Sequence, residues 1–117
     1  DAPPLYYVSM PHGAMPAIVD SARARGWTPP AKGFWSLDPN SFGLFAAPPT
    51  IAVDVTPHVP QKRAAIAAHR SQMGDDSPFS QMSDAEAARW LGAEYFRRAA
   101  GGDVSVGLLE QLCTPTF

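Results

Sequence analysis

The sequence holds a single cysteine, Cys113, so no disulfide can form within the chain. That excludes a small disulfide-stapled scaffold and tilts the compartment toward the cytoplasm. Charge is also scarce: 17% of residues are Asp, Glu, Lys or Arg, against a usual ~25%. The net charge is −2 and no basic run occurs. Phosphate binding needs clustered Lys and Arg, so no nucleic-acid partner is expected. No apolar run approaches the ~20 residues of a membrane-spanning helix, and nothing at the N-terminus has the form of a signal peptide. No membrane partner is expected either. Histidine is rare: His12, His58 and His69 stand far apart. They lack the paired spacing of zinc ligands, which disfavours an independent metal-binding domain built from them.

Proline and apolar residues are plentiful. Thirteen of 117 residues are proline, about twice the usual ~5%, so long loops are expected. The apolar fraction of 45% suits a globular chain, and the length suits one small domain. The chain begins at Asp1, not Met, and it is expected to be part of something longer.

Residues 5–8, Leu-Tyr-Tyr-Val, are good β-formers and predict a buried strand, ended by Pro11-His12-Gly13. Ligand sites in open α/β sheets lie beyond the carboxyl ends of strands, which makes His12 a candidate site residue. The alternative is an ordinary loop histidine. Met15, Ile18, Val19 and Ala22 recur at helical spacing and predict a core-facing helix over 14–25, stopped by Gly26. Residues 27–49 are broken by Pro and Gly yet hold Trp27, Phe34, Trp35, Phe42 and Phe45. They predict an ordered aromatic loop that covers the core or an interface, or else borders a site. Residues 50–55 predict a second strand.

Thr56 and Pro57 fit the start of a helix running to about Met73, before Gly74. On it Lys62, His69 and Gln72 fall on roughly one side. Ala65, Ile66 and Ala68 around that row are expected to pack closely on a neighbour. His69 and Gln72 are candidates for hydrogen bonds that support a site, with a purely structural network as the alternative. Lys62 is expected to hold a carboxylate or a helix end. Pro78-Phe79 reads as a loop anchor. Ser83 and Glu86 form a capping box, which starts a helix predicted to run from Asp84 to about Ala100. Its buried face is Ala87, Trp90, Leu91 and Tyr95. Glu94 is expected to pair with Arg97 or Arg98 on that helix, or to act as an acid near a site.

An ordered set of residues carries a family resemblance. A strand centred on Val53-Asp54-Val55 precedes a helix of the form K-x-x-A-x-x-x-H-x-S-Q, occupied by Lys62, Ala65, His69, Ser71 and Gln72. Pro78-Phe79 and then Glu94 and Phe96 follow in order. This resembles the C-terminal part of the LmbE/PIG-L family of zinc-dependent N-acetylglucosaminyl de-N-acetylases. The resemblance implies an α/β fold, here the C-terminal half of a Rossmann-like domain. Its strands would join a sheet completed elsewhere, with right-handed βαβ crossovers. It also implies hydrolysis of an N-acetyl group on an amino sugar or related amide. In that reaction zinc activates water, a carboxylate acts as base and a histidine stabilises the oxyanion.

The family's His-Pro-Asp-Asp-Glu and His-x-x-His motifs do not occur in this sequence; Asp75-Asp76 follows Met73-Gly74. Zinc and the catalytic residues are therefore expected on an N-terminal half, in the same protein or in a second chain. This chain would supply the pocket wall and supporting hydrogen bonds, through His69, Gln72 and His12. An amino-sugar-like substrate and a homo-oligomer are the expected partners. The competing class is a non-catalytic assembly module.

Overall fold

The computed structural model describes residues 4–69 and 76–99, together with residue 109. Strand β1 covers Tyr6–Val8, helix α1 Ala14–Ala24, strand β2 Ile51–Asp54 and helix α2 Val59–Ala68. Helix α3 covers Asp84–Leu91 and strand β3 Ala93–Arg98. Short 3-10 turns at Phe34–Ser36, Pro39–Ser41 and Thr56–His58 punctuate the connections. The strands form one sheet in the order β1-β3-β2, and both pairings are antiparallel. Tyr7 stands opposite Arg97, and Val53 opposite Glu94. The described part is thus mixed α/β with a small antiparallel sheet, and no parallel neighbours occur among the described strands.

The largest departure from the sequence reading lies after α3. The helix expected to reach Ala100 stops at Leu91, and residues 93–98 are the central strand. Gly92 is the pivot. A Cβ there would collide with the Ala88 carbonyl oxygen and lie 3.1 Å from Thr56 Oγ1. The bare glycine lets the chain turn tightly, and its carbonyl accepts the Val55 N–H at 2.8 Å. The following Tyr95 and Phe96 are good β-formers. As strand they supply the ladder that β1 and β2 need, since unpaired backbone groups are costly. Long-range pairing overrides the local helical pattern.

Strand β1 is not buried. It is an outer strand, and Tyr7 and Val8 are 58% and 79% exposed. Helix α2 ends at Ala68, five residues short of the expected Met73. Its start is organised by Asp54, whose carboxylate accepts from Thr56 N at 2.9 Å and Thr56 Oγ1 at 2.6 Å. Thr56 is therefore a donor in the turn and not the cap. These bonds, the hydroxyl's first, lower the Asp54 pKa. Ala64, Ala65, Ala67 and Ala68 are exposed, so of Ala65, Ile66 and Ala68, expected to pack closely around the polar row, Ile66 alone packs against the core.

The core joins Ile18 of α1, Val59 of α2, Met82, and Ala87 and Leu91 of α3, with Phe79 and Trp90 packed against it. The α1 face is as expected: Met15, Ile18, Val19 and Ala22 are all buried. Pro78 is fully buried, which makes Pro78-Phe79 the anchor the sequence suggested. The capping box also forms, with Glu86 N donating to Ser83 Oγ at 3.1 Å and Ser83 N to Glu86 Oε1 at 3.3 Å. Arg25 follows the end of α1 as its C-cap. It donates to the Glu86 carboxylate and, at 3.0 Å each, to the carbonyls of Pro78 and Ser80. Ser21 Oγ donates to the same Glu86 oxygen at 2.6 Å. The Arg25–Glu86 pair thus ties α1, the 78–80 loop and α3 together. The Ser21 bond is the largest of several influences that hold the Glu86 pKa down to about 2.

The 27–49 loop is ordered by edge-to-face aromatic contacts. Phe34 meets Trp35 at 4.8 Å and Phe42 at 5.2 Å, and Trp35 reaches Phe79 at 5.9 Å. It therefore covers the core, while Phe45 at its far end is 97% exposed.

Candidate functional site

The chain leaves β1 through Ser9-Met10-Pro11-His12-Gly13 and enters α1. Gly13, at φ 84°, makes the corner, a conformation that favours glycine. A cavity of about 670 Å³ opens beside this segment. The β1–α1 segment forms one wall, Lys62 and Ile66 of α2 a second, and the stretch from Arg89 to Tyr95 a third. Apolar groups dominate the lining, with a few polar ones among them, as in most small-molecule sites.

The polar groups are held from outside and from within. His12 Nε2 lies 3.1 Å from the Ala46 carbonyl, and Ser9 Oγ donates to the Ala47 carbonyl at 3.3 Å. The end of the aromatic loop is thereby fastened to the segment that rims the cavity. Ser9 N donates to Tyr95 O at 2.9 Å, which extends the β1–β3 ladder into the pocket wall. Lys62 Nζ donates to the Leu91 carbonyl, the last of α3, at 2.8 Å and pairs with Glu94 Oε1 at 2.7 Å. It holds both a helix end and a carboxylate. Arg89 stacks over the Trp90 ring, 4.6 Å from its centroid.

Of the candidates named from sequence, His12 lines this cavity. His69 does not. It is the exposed residue that terminates α2, its N–H donating to Ile66 O at 3.1 Å. Lys62 and His69 are seven residues apart, but the helix ends between them, so the row loses its common face. Gln72 lies outside the described residues, as do Arg70 and Ser71. The partner expected for Glu94 is also corrected. With 93–98 a strand, Glu94 pairs with Lys62, and Arg97 donates to the Pro48 carbonyl at 3.0 Å. Trp90 packs against the core as expected and also lines the cavity, while Tyr95, read as part of the same helix face, lines it from β3. Glycine ahead of a Tyr-Phe pair was the signal for this change of structure.

Among the described residues no three His, Cys, Asp or Glu side chains gather where they would hold a metal ion. The described residues do not make a zinc site. No helix among the described residues is long and apolar enough to cross a membrane.

Comparison with known proteins finds homologues among the deacetylases. The chain is 32% identical over 100 residues to a 1D-myo-inositol 2-acetamido-2-deoxy-alpha-D-glucopyranoside deacetylase of Geodermatophilus obscurus, covering 83% of this chain and 33% of that protein. It is 30% identical over 97 residues to a deacetylase of the same name from Thermobispora bispora, covering 83% of this chain and 32% of that protein. The chain is a homologue of the LmbE/PIG-L family deacetylases. It spans about a third of the length of the curated relatives it matches. No protein-family model matches the chain, and no solved structure does. Of the residues that carry the LmbE/PIG-L resemblance, Asp54 builds the turn into α2, Lys62 and Glu94 pair beside the cavity, and Pro78-Phe79 anchors the core.

Proposed function

We propose that this chain forms a substrate-facing wall of a de-N-acetylase acting on an N-acetylated amino sugar or related amide. The observation that carries the reading is the cavity at the carboxyl end of β1, where the family-type residues Lys62 and Glu94 meet in a chain related to sugar deacetylases. The zinc ion, the activated water and the general base belong to a further body, in the same protein or in a second chain. That body would cover the outer edge of β1 and the alanine face of α2, where Tyr7, Val8 and the alanines are exposed. The antiparallel sheet would then extend a Rossmann-like sheet. Assembly as a homo-oligomer belongs to the same proposal.

The test is a chimera. The matching segment of the Geodermatophilus obscurus deacetylase is replaced by this chain, and amine release from that enzyme's own substrate is measured. The reading expects zinc-dependent deacetylation. A folded, zinc-loaded chimera without activity would favour the assembly-module class instead.

A further inference from the structure

Glu94 lies where a strand and a cavity meet, and Lys62 occupies only one of its oxygens. The pairing uses Oε1 at 2.7 Å, and among the described residues the Glu94 side chain has no other partner. The carboxylate is 40% exposed, and Glu94 lines the cavity together with the Trp90 ring. A carboxylate oxygen accepts hydrogen bonds strongly, and hydroxyl donors to it bind at short range. Its charge would ordinarily draw a cation. Here Lys62 neutralises it at contact distance, and Arg89 adds a second positive charge at the rim, over Trp90. An ammonium ligand is therefore disfavoured by the pocket as a whole. What remains is a neutral ring that presents hydroxyls to Glu94 and an apolar face to Trp90.

We propose that Glu94, poised by Lys62, is a specificity-determining residue of this pocket, accepting hydroxyl hydrogen bonds from an uncharged polyhydroxylated ring. The inference rests on the pocket facing substrate, as the deacetylase reading has it, and assigns which atoms of this chain select the ligand. Lys62 is a positioning residue: it fixes the carboxylate and cancels its charge, without being required to touch the ring.

Two measurements test this. The first is amide-resolved NMR titration of the 117-residue chain with myo-inositol, N-acetylglucosamine, glucosamine as the cationic probe and inorganic phosphate as the anionic one. Shifts with the two neutral probes are expected at residues 9–13 and 89–95. Glu94→Gln is expected to weaken neutral-probe binding about tenfold, the worth of one charge-assisted hydrogen bond. Lys62→Met is expected to turn the preference toward glucosamine, a change of charge selectivity that a merely structural role for Lys62 would not produce. Binding of phosphate alone, or neutral-probe binding indifferent to Glu94→Gln, overturns the proposal. The second is KM in the chimera, expected to rise about tenfold with Glu94→Gln. An active chimera whose KM ignores Glu94 sinks this inference and leaves the deacetylase reading standing. An inactive zinc-loaded chimera with Glu94-dependent binding of neutral rings does the reverse.

Discussion

Replacing Gly92 by Ala decides between two structures for the same residues. If the helix begun at Ser83 continued past Gly92, alanine would be the better residue and would stabilise by about 0.8–1 kcal/mol. In the fold described here the sign reverses. The backbone at Gly92, φ −76° and ψ −5°, suits any residue, so no strain arises from φ. The added Cβ instead collides with the Ala88 carbonyl and crowds Thr56 Oγ1 at 3.1 Å. Overpacking of this kind costs about 1–3 kcal/mol. The shift that relieves it pulls on the bond from Val55 N to Gly92 O, 2.8 Å long, worth about 1 kcal/mol. Reduced freedom of the unfolded chain returns about 0.4–1 kcal/mol. The expected net loss is about 2 kcal/mol, which at a urea m-value of about 1.5 kcal/mol/M lowers the midpoint by about 1.3 M. Urea unfolding followed by tryptophan fluorescence measures it. Adding Thr56→Ala should not rescue the variant, because the obstructing atom is a backbone oxygen. A neutral or stabilising Gly92→Ala would refute the pivot and with it the position of Glu94.

Two further substitutions probe the scaffold behind the cavity. Glu86 has its folded pKa lowered from 4.5 to about 2. Its contribution is therefore fully present above pH 4.5 and is lost as pH falls toward 2. Glu86→Gln should lower stability at neutral pH and flatten the acid limb of a thermal-melting series between those values; an acid limb identical to wild type would contradict this. Ser83→Ala removes the acceptor of the Glu86 N–H and should cost about 1 kcal/mol in urea unfolding, with Ser83→Asn retaining most of the stability.

Local signals in the sequence were reliable where they were chemically specific. The Ser83–Glu86 box, the apolar spacing of α1 and the Pro78-Phe79 anchor depend on neighbours a few residues away, and all three are present. Lys62 as the holder of a carboxylate or of a helix end was also legible, because a lysine amid small residues needs an acceptor; it holds both. What failed depended on distant pairing. Nothing near Tyr95 and Phe96 states that two strands, some 40 and 90 residues earlier, lack a ladder between them. Once that stretch is strand, Glu94 leaves the arginines and faces Lys62, and Tyr95 becomes cavity wall. The polar row of α2 failed for a related reason. Helical spacing places Lys62 and His69 on one side only while the helix lasts, and it ends at Ala68.

The proposed function requires the cavity beside His12, Lys62 and Glu94 to face substrate. Its most direct test is photoaffinity labelling of the chimera with a diazirine-bearing N-acetylglucosaminide, mapped by peptide mass spectrometry. The account predicts labelling within residues 9–13 and 89–95, blocked by excess unlabelled N-acetylglucosamine. Blockable labelling confined to the exposed alanine face of α2, with the cavity segments clean, would contradict it.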